Sequence, residues 1–133
     1  MSHWMYYSSR TEFLPDSHEI LKLSAFDKVT GFLTTNTITD MYYVLYKNSR
    51  DAVKSRDAIT QLIKLVTLEA VIPSDISFAL ASDIVDLEDA VVCFVAKRIK
   101  ADYIITRNIS DFTNSPVPVI EPVNFLSKHF PKN

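Results

Sequence analysis

The chain has 133 residues, 47% hydrophobic and 23% charged, with a formal net charge of −2 and a single glycine, Gly31. One glycine can build neither a G-x-G-x-x-G dinucleotide loop nor a G-x-x-x-x-G-K phosphate loop, so both routes to phosphate binding are excluded. The slight negative charge excludes a protein that grips nucleic acid by bulk positive charge alone, and the lone Cys93 excludes an intramolecular disulfide. The length suits one domain, and no repeat, low-complexity tract or linker divides it, so residues 1–133 read as a single unit. No apolar run approaches the ~18 residues of a membrane span. Nor does the N-terminus show the basic-then-apolar order of a signal peptide. A cytoplasmic protein without a membrane partner is the expectation.

In chain order, Met1–Phe13 mixes aromatics and serines without clear periodicity and reads as an irregular start or a short helix. Asp16 and Glu19 then resemble a capping box and open a helix that runs to about Lys28. Gly31 stops it and introduces a short strand, Phe32–Thr35. Asn36 or Thr37 caps the next helix, whose Ile38, Met41, Tyr42 and Leu45 fall at core-facing spacing, with Asp40 on its first turn and pointing away. A third helix spans about Asp51 to Val66, with Ile59, Leu62, Ile63 and Val66 as its stripe. Leu68–Ile72 reads as a strand closed by Pro73, and Ser74 or Asp75 starts another helix.

Asp86 caps the following helix, which is expected to bury Leu87, Val91, Phe94 and Val95. Tyr103–Thr106 is a near-continuous apolar strand of the kind found in a parallel sheet covered on both faces. Val117–Ile120 is a last short strand, placed by Pro118 at an edge or a strand start. Pro122 suits the first turn of a final helix. Strands alternating with helices predict an α/β fold with a mostly parallel sheet, and its ligands belong beyond the carboxyl ends of the strands.

Several polar residues converge on that edge. Asp40 follows the first strand read above, Asn108 and Asp111 follow the Tyr103–Thr106 strand, and Asp86, Glu88 and Asp89 open the helix that leads into it. Asp86 and Asp89, three apart, are neighbours on one helix face, where clustered oxygens suit a hard divalent cation. Each also has a plainer reading: Asp86 as a helix cap, Asp40 as a first-turn acid, Asn108 and Asp111 as turn residues, Glu88 as a solvated surface acid. Lys97, Arg98, Lys100 and Arg107 form a basic cluster that either touches a nucleic-acid backbone or is a solvated helix end. Cys93 reads as a small buried apolar residue.

Three spaced elements, D-L-E-D-A from Asp86, A-D-Y-I-I-T-R-N from Ala101 and D-F at Asp111, resemble the C-terminal signature of PIN domains. S-P-V-P-V-I-E-P-V-N-F-L from Ser115 and G-F-L-T-T-N-T-I-T-D-M-Y-Y-V-L from Gly31 are similar to the same family. The resemblance implies a three-layer α/β/α ribonuclease fold using Mg²⁺ or Mn²⁺. It also implies the life of a bacterial toxin, dimeric and held by an antitoxin protein. On that pattern Asp40 matches the second acidic position, Asp89 the third, and Asn108 the fourth with Asp111 as its stand-in, while Asp86 is an extra carboxylate. Lys97, Arg98 and Arg107 would meet the RNA. Nothing in Met1–Phe13 matches the family's opening strand and its Asp-Thr-Asn motif. The expectation is therefore a domain that has lost its first strand, or a gene start placed too late, with either activity impaired or a module that binds RNA or protein without cutting. A sheet edge left unpaired by that loss would favour a dimer, or a fold in which the N-terminal residues cover the gap.

Overall fold

In the computed structural model, residues 2–6 and 29–129 are described. Their strands are β1 (Ser2–Tyr6), β2 (Val29–Thr34), β3 (Thr67–Glu69), β4 (Tyr103–Ile105) and β5 (Val119–Ile120). The α-helices are α1 (Thr35–Ser49), α2 (Ala52–Ile63), α3 (Pro73–Ala81), α4 (Leu87–Arg98) and α5 (Pro122–His129), with a 3₁₀ turn at Ile109–Phe112. The helix expected from Asp16 lies outside the described residues.

The strands form one sheet in the order β3-β2-β1-β4-β5, every neighbouring pair parallel. Ser2–Tyr6, the described part of the Met1–Phe13 segment expected to be irregular, is its central strand: Trp4 lies opposite Gly31 of β2 on one side and Tyr103 of β4 on the other. The sheet has not lost its first strand. Trp4, Met5 and Tyr6 are good strand formers, and pairing on both sides holds them extended, although the polar Ser2-His3 start hides the pattern. With β1 in place there is no gap for a partner strand to fill, and that argument for a dimer falls.

Successive strand residues face opposite sides, so each strand feeds two cores. Ile104 packs with Ala90, Val91, Val92, Cys93, Val95 and Ala96 of α4 on one face, and the half-buried Phe32 and Val119 join it. Ile105 packs with Leu33, Met41, Leu62 and Phe125 on the other, joined by Ile120. Helices α1, α2 and α5 thus cover one face and α4 the other, which gives the expected three layers.

Some boundaries differ from the sequence reading. Thr34, not Asn36 or Thr37, caps α1: its Oγ1 accepts from the Thr37 N–H at 3.1 Å. Asp51 caps α2 by accepting from Lys54 N–H at 3.0 Å, and this helix stops at Ile63 rather than Val66. The third strand lies at Thr67–Glu69 instead of Leu68–Ile72, because Pro73 is the first residue of α3 rather than a strand terminator. Leu87, expected to be buried, is 48% exposed. It lies on the first turn of α4, on the rim of a surface depression.

Candidate active site at the carboxyl edge of the sheet

Helix α1 leaves β2 directly, and buried Thr34 and Thr37 share a hydroxyl hydrogen bond of 2.8 Å at the junction. That lock fixes the start of α1 at Thr35, so Asp40 lies in the second turn, not the first. Asp86 caps α4 as expected, accepting from the Asp89 N–H at 2.9 Å. Asp89 is 7% exposed, unusual for an acid, and is brought to the site edge by the same turn that buries Ala90.

Two depressions flank this first turn of α4. One, of about 470 Å³, is lined by Thr34, Thr37, Asp40, Leu87, Glu88 and Val91. The other, of about 480 Å³, is lined by Asp83, Asp86, Asp89, Ser110, Asp111 and Asn114. Consecutive helix residues point about 100° apart, which is how Glu88 serves the first depression and Asp89 the second.

Glu88, read from sequence as a solvated acid, is the residue that reading undervalued. Its carboxyl group hydrogen-bonds to Asp40, and this contact, with partial burial and the negative charges of Asp40, Asp86 and Asp89, pushes its pKa from 4.5 up to about 7. The contact joins α1 to α4 across the depression. The signal was present in D-L-E-D, three carboxylates within four residues at one helix start.

The other expected residues divide. Asp111 lines the depression that holds Asp86 and Asp89, whereas Asn108 lines neither depression and is exposed at the head of the 3₁₀ turn, its N–H donating to Thr106 Oγ1 at 3.3 Å. Lys97 and Arg107 are exposed. Arg98 is not a solvated base awaiting nucleic acid. It bridges Asp75 at 3.0 Å and Glu69 at 3.1 Å and donates to the Ala70 carbonyl at 2.7 Å. It also lies nine residues beyond Asp89, about 14 Å along the helix axis. Cys93 is fully buried, and burial pushes its thiol up to about 11, so it is no nucleophile.

Among the described residues, no three His, Cys, Asp or Glu side chains converge into a ready-made cation cage. The donors nevertheless suit a hard cation that keeps most of its water. Magnesium is commonly held by one or two carboxylates and completed by substrate phosphate. Two carboxyl groups close enough to share a hydrogen bond need a proton or a cation between them.

A profile of the PIN domain family matches residues 6–110, most of the chain, and the protein belongs to that family. Its fold is shared with PAE2754 from Pyrobaculum aerophilum at 14% identity and a TM-score of 0.68, covering 96% of each chain. It is shared as well with VapBC from Salmonella typhimurium, a DNA-bound structure, at 12% identity and a TM-score of 0.70, over 92% of this chain and 99% of that one. VapBC2 from Rickettsia felis, bound to a fragment of its promoter, aligns at 13% identity and a TM-score of 0.69, over 90% and 98%. No curated protein sequence gives a match. Among the described residues no helix is long and apolar enough to cross a membrane.

Proposed function

We propose that this PIN domain is a divalent-metal-dependent endoribonuclease whose acidic site is built between α1 and α4. The observation that carries this reading is the Asp40–Glu88 contact across the depression, surrounded by the charges of Asp86 and Asp89. Asp40 and Glu88 would hold Mg²⁺ or Mn²⁺ in the first depression, with Asp86, Asp89 and Asp111 lining the neighbouring one. Bound there, the cation would supply an activated water and neutralise charge developing on the phosphodiester. The chain's own part is positioning. The Thr34–Thr37 lock sets Asp40, the Asp86 cap sets Asp89, and Glu88, its pKa raised to about 7, holds a proton beside Asp40 where a cation would otherwise sit. Lys97 and Arg107, both exposed, would meet an RNA backbone. A homodimer silenced by an antitoxin protein completes the reading, in keeping with the family resemblance and with neighbours solved as VapBC assemblies.

The test is cleavage of a structured RNA with Mg²⁺ or Mn²⁺ against chelator, for the native chain and for Asp89→Asn. Metal-dependent cleavage is expected, reduced about 100-fold or more by the substitution, roughly 3 kcal/mol of transition-state stabilisation. Equal cleavage by the two proteins would sink the proposal.

A second reading is a PIN module that binds RNA or protein without cutting. It is favoured by β1, which contributes Ser-His-Trp-Met-Tyr and no acid to the centre of the sheet. RNA retention on a filter without turnover in either metal would select it.

A further inference from the structure

Tyr42 lies two residues beyond Asp40 and, by its spacing, belongs to the core-facing stripe of α1. In the fold it is only half-buried, unlike the buried Met41 beside it. It opens onto a depression of about 420 Å³ between α1 and α2, lined by Ile38, Thr39, Tyr42, Arg56, Ile59 and Thr60. Tyr46, one turn further on, stacks with Tyr42 at 6.3 Å between ring centres and 13° between planes, which fixes the orientation of the Tyr42 ring. Thr39 lines this depression and also the one that holds Asp40 and Glu88, so the two share a rim.

The wall of this depression has a definite chemistry. The Thr39 hydroxyl donates to the Asn36 carbonyl at 2.9 Å, and the Thr60 hydroxyl donates to the Arg56 carbonyl at 2.8 Å. Each proton is used within its own helix, so each hydroxyl offers a ligand an acceptor oxygen. Arg56 supplies donors on a planar cation; it is exposed and, among the described residues, in no ion pair, in contrast to Arg98. An aromatic ring, a planar cation and two acceptors match a flat heterocycle with amino groups and ring nitrogens. An aliphatic side chain of a protein would leave the cation and the hydroxyls unused. Charge agrees with this. From Lys47 to Thr60 the chain carries four exposed bases, Lys47, Arg50, Lys54 and Arg56, against Asp51 and Asp57, and Asp51 is engaged as the α2 cap. In a chain of net charge −2 this is a local basic surface of the kind a polyanion requires.

We infer that the α1–α2 depression is a nucleobase subsite: it takes one unpaired base of an RNA strand, stacked on Tyr42 and edged by Arg56, beside the phosphate that reaches Asp40 and Glu88. The inference deepens the nuclease reading above and rests on it for the place of that phosphate. A strand crossing the shared rim at Thr39 sets a phosphate on one side and the neighbouring base on the other. A base inside a duplex is already stacked and paired, so the subsite selects single-stranded segments.

The experiment is fluorescence anisotropy with a mixed-sequence single-stranded RNA octamer, in chelator so that nothing is cut, with circular dichroism as the check on folding. The comparison probe is an octamer of abasic tetrahydrofuran phosphates. The native chain is expected to bind the RNA about tenfold or more tightly than the abasic strand. Tyr42→Leu, which keeps the apolar bulk, is expected to lose about tenfold on the RNA and nothing on the abasic strand, and Tyr42→Phe to keep the native affinity. Arg56→Gln, at an exposed position, is expected to weaken RNA binding and to lower the slope of log affinity against log salt by about 0.7. RNA bound equally by the native chain and Tyr42→Leu, a loss shared by the abasic strand or by Tyr42→Phe, or a salt slope indifferent to Arg56→Gln would each overturn the proposal. A native chain that binds no RNA would overturn it too, and leave the depression to a protein partner. Binding is read without metal or turnover, so a failed cleavage assay leaves a positive result standing, and a failed stacking result leaves a nuclease that holds its RNA elsewhere.

Discussion

Glu88 shows how one side chain can report on a site. Its pKa, raised from 4.5 to about 7, means that the folded state binds a proton the unfolded chain has already released. Between those values the folded form holds more protons, so stability must fall as pH rises through that window. Glu88→Gln removes the penalty. Its melting temperature is expected to match the native chain below pH 4.5 and exceed it above pH 7, a crossover that thermal melts across pH will detect. Added Mg²⁺ should flatten the native profile and leave that of Glu88→Gln nearly unchanged. Asp86 separates two roles that sequence alone left open. Asp86→Ala should cost about 1 kcal/mol in urea unfolding through loss of the α4 cap. Asp86→Asn should keep that stability while removing a charge from the acidic edge.

At the scale of elements, the Arg98 network ties the end of α4 to β3 and to the first turn of α3. Asp75 is central to it, with a side chain 2% exposed, a carboxylate that takes Arg98, and an Oδ2 that also accepts from the Ile72 N–H at 2.9 Å. Breaking a buried pair from one side strands the other charge. Arg98→Met is therefore expected to destabilise the fold by about 3 kcal/mol in urea unfolding, with RNA retention by the folded protein unaltered. The cluster Lys97, Arg98, Lys100 and Arg107 looked uniform as letters. Only the fold separates Arg98, consumed internally, from its exposed neighbours, because its carboxylate partners lie 23 and 29 positions away. The start of helix α4 was legible to the residue, since its cap and first-turn acids are local signals, although Leu87 beside the cap turns out exposed. The Val71-Ile72 run was not, because an apolar pair before proline suits a strand end and a helix entry equally well. The Asp40–Glu88 contact was also hidden: each acid reads as an exposed helix residue until two helices meet.

For the molecule as a whole, the sheet depends on a strand that sequence patterning passed over. The three-layer parallel fold was readable from the alternation of strands and helices, and the edge where the acids gather followed from it. Strand β1 was not, because five residues beginning Ser-His show neither alternation nor a continuous apolar run, and what holds them is pairing on both sides. Removing Ser2–Tyr6 would strip β2 and β4 of their shared neighbour. Such a chain is expected to lose cooperative unfolding in calorimetry rather than merely melt a few degrees lower. The same placement bears on how the protein is made. Trp4 meets Gly31 on one side and Tyr103 on the other, so one of its two ladders closes over 99 residues of chain. At a synthesis rate of about 5–20 residues per second, the first strand to emerge waits roughly 5–20 seconds for its second neighbour. Throughout that interval the edge of β1 that will face β4 stays unpaired and can template a wrong strand.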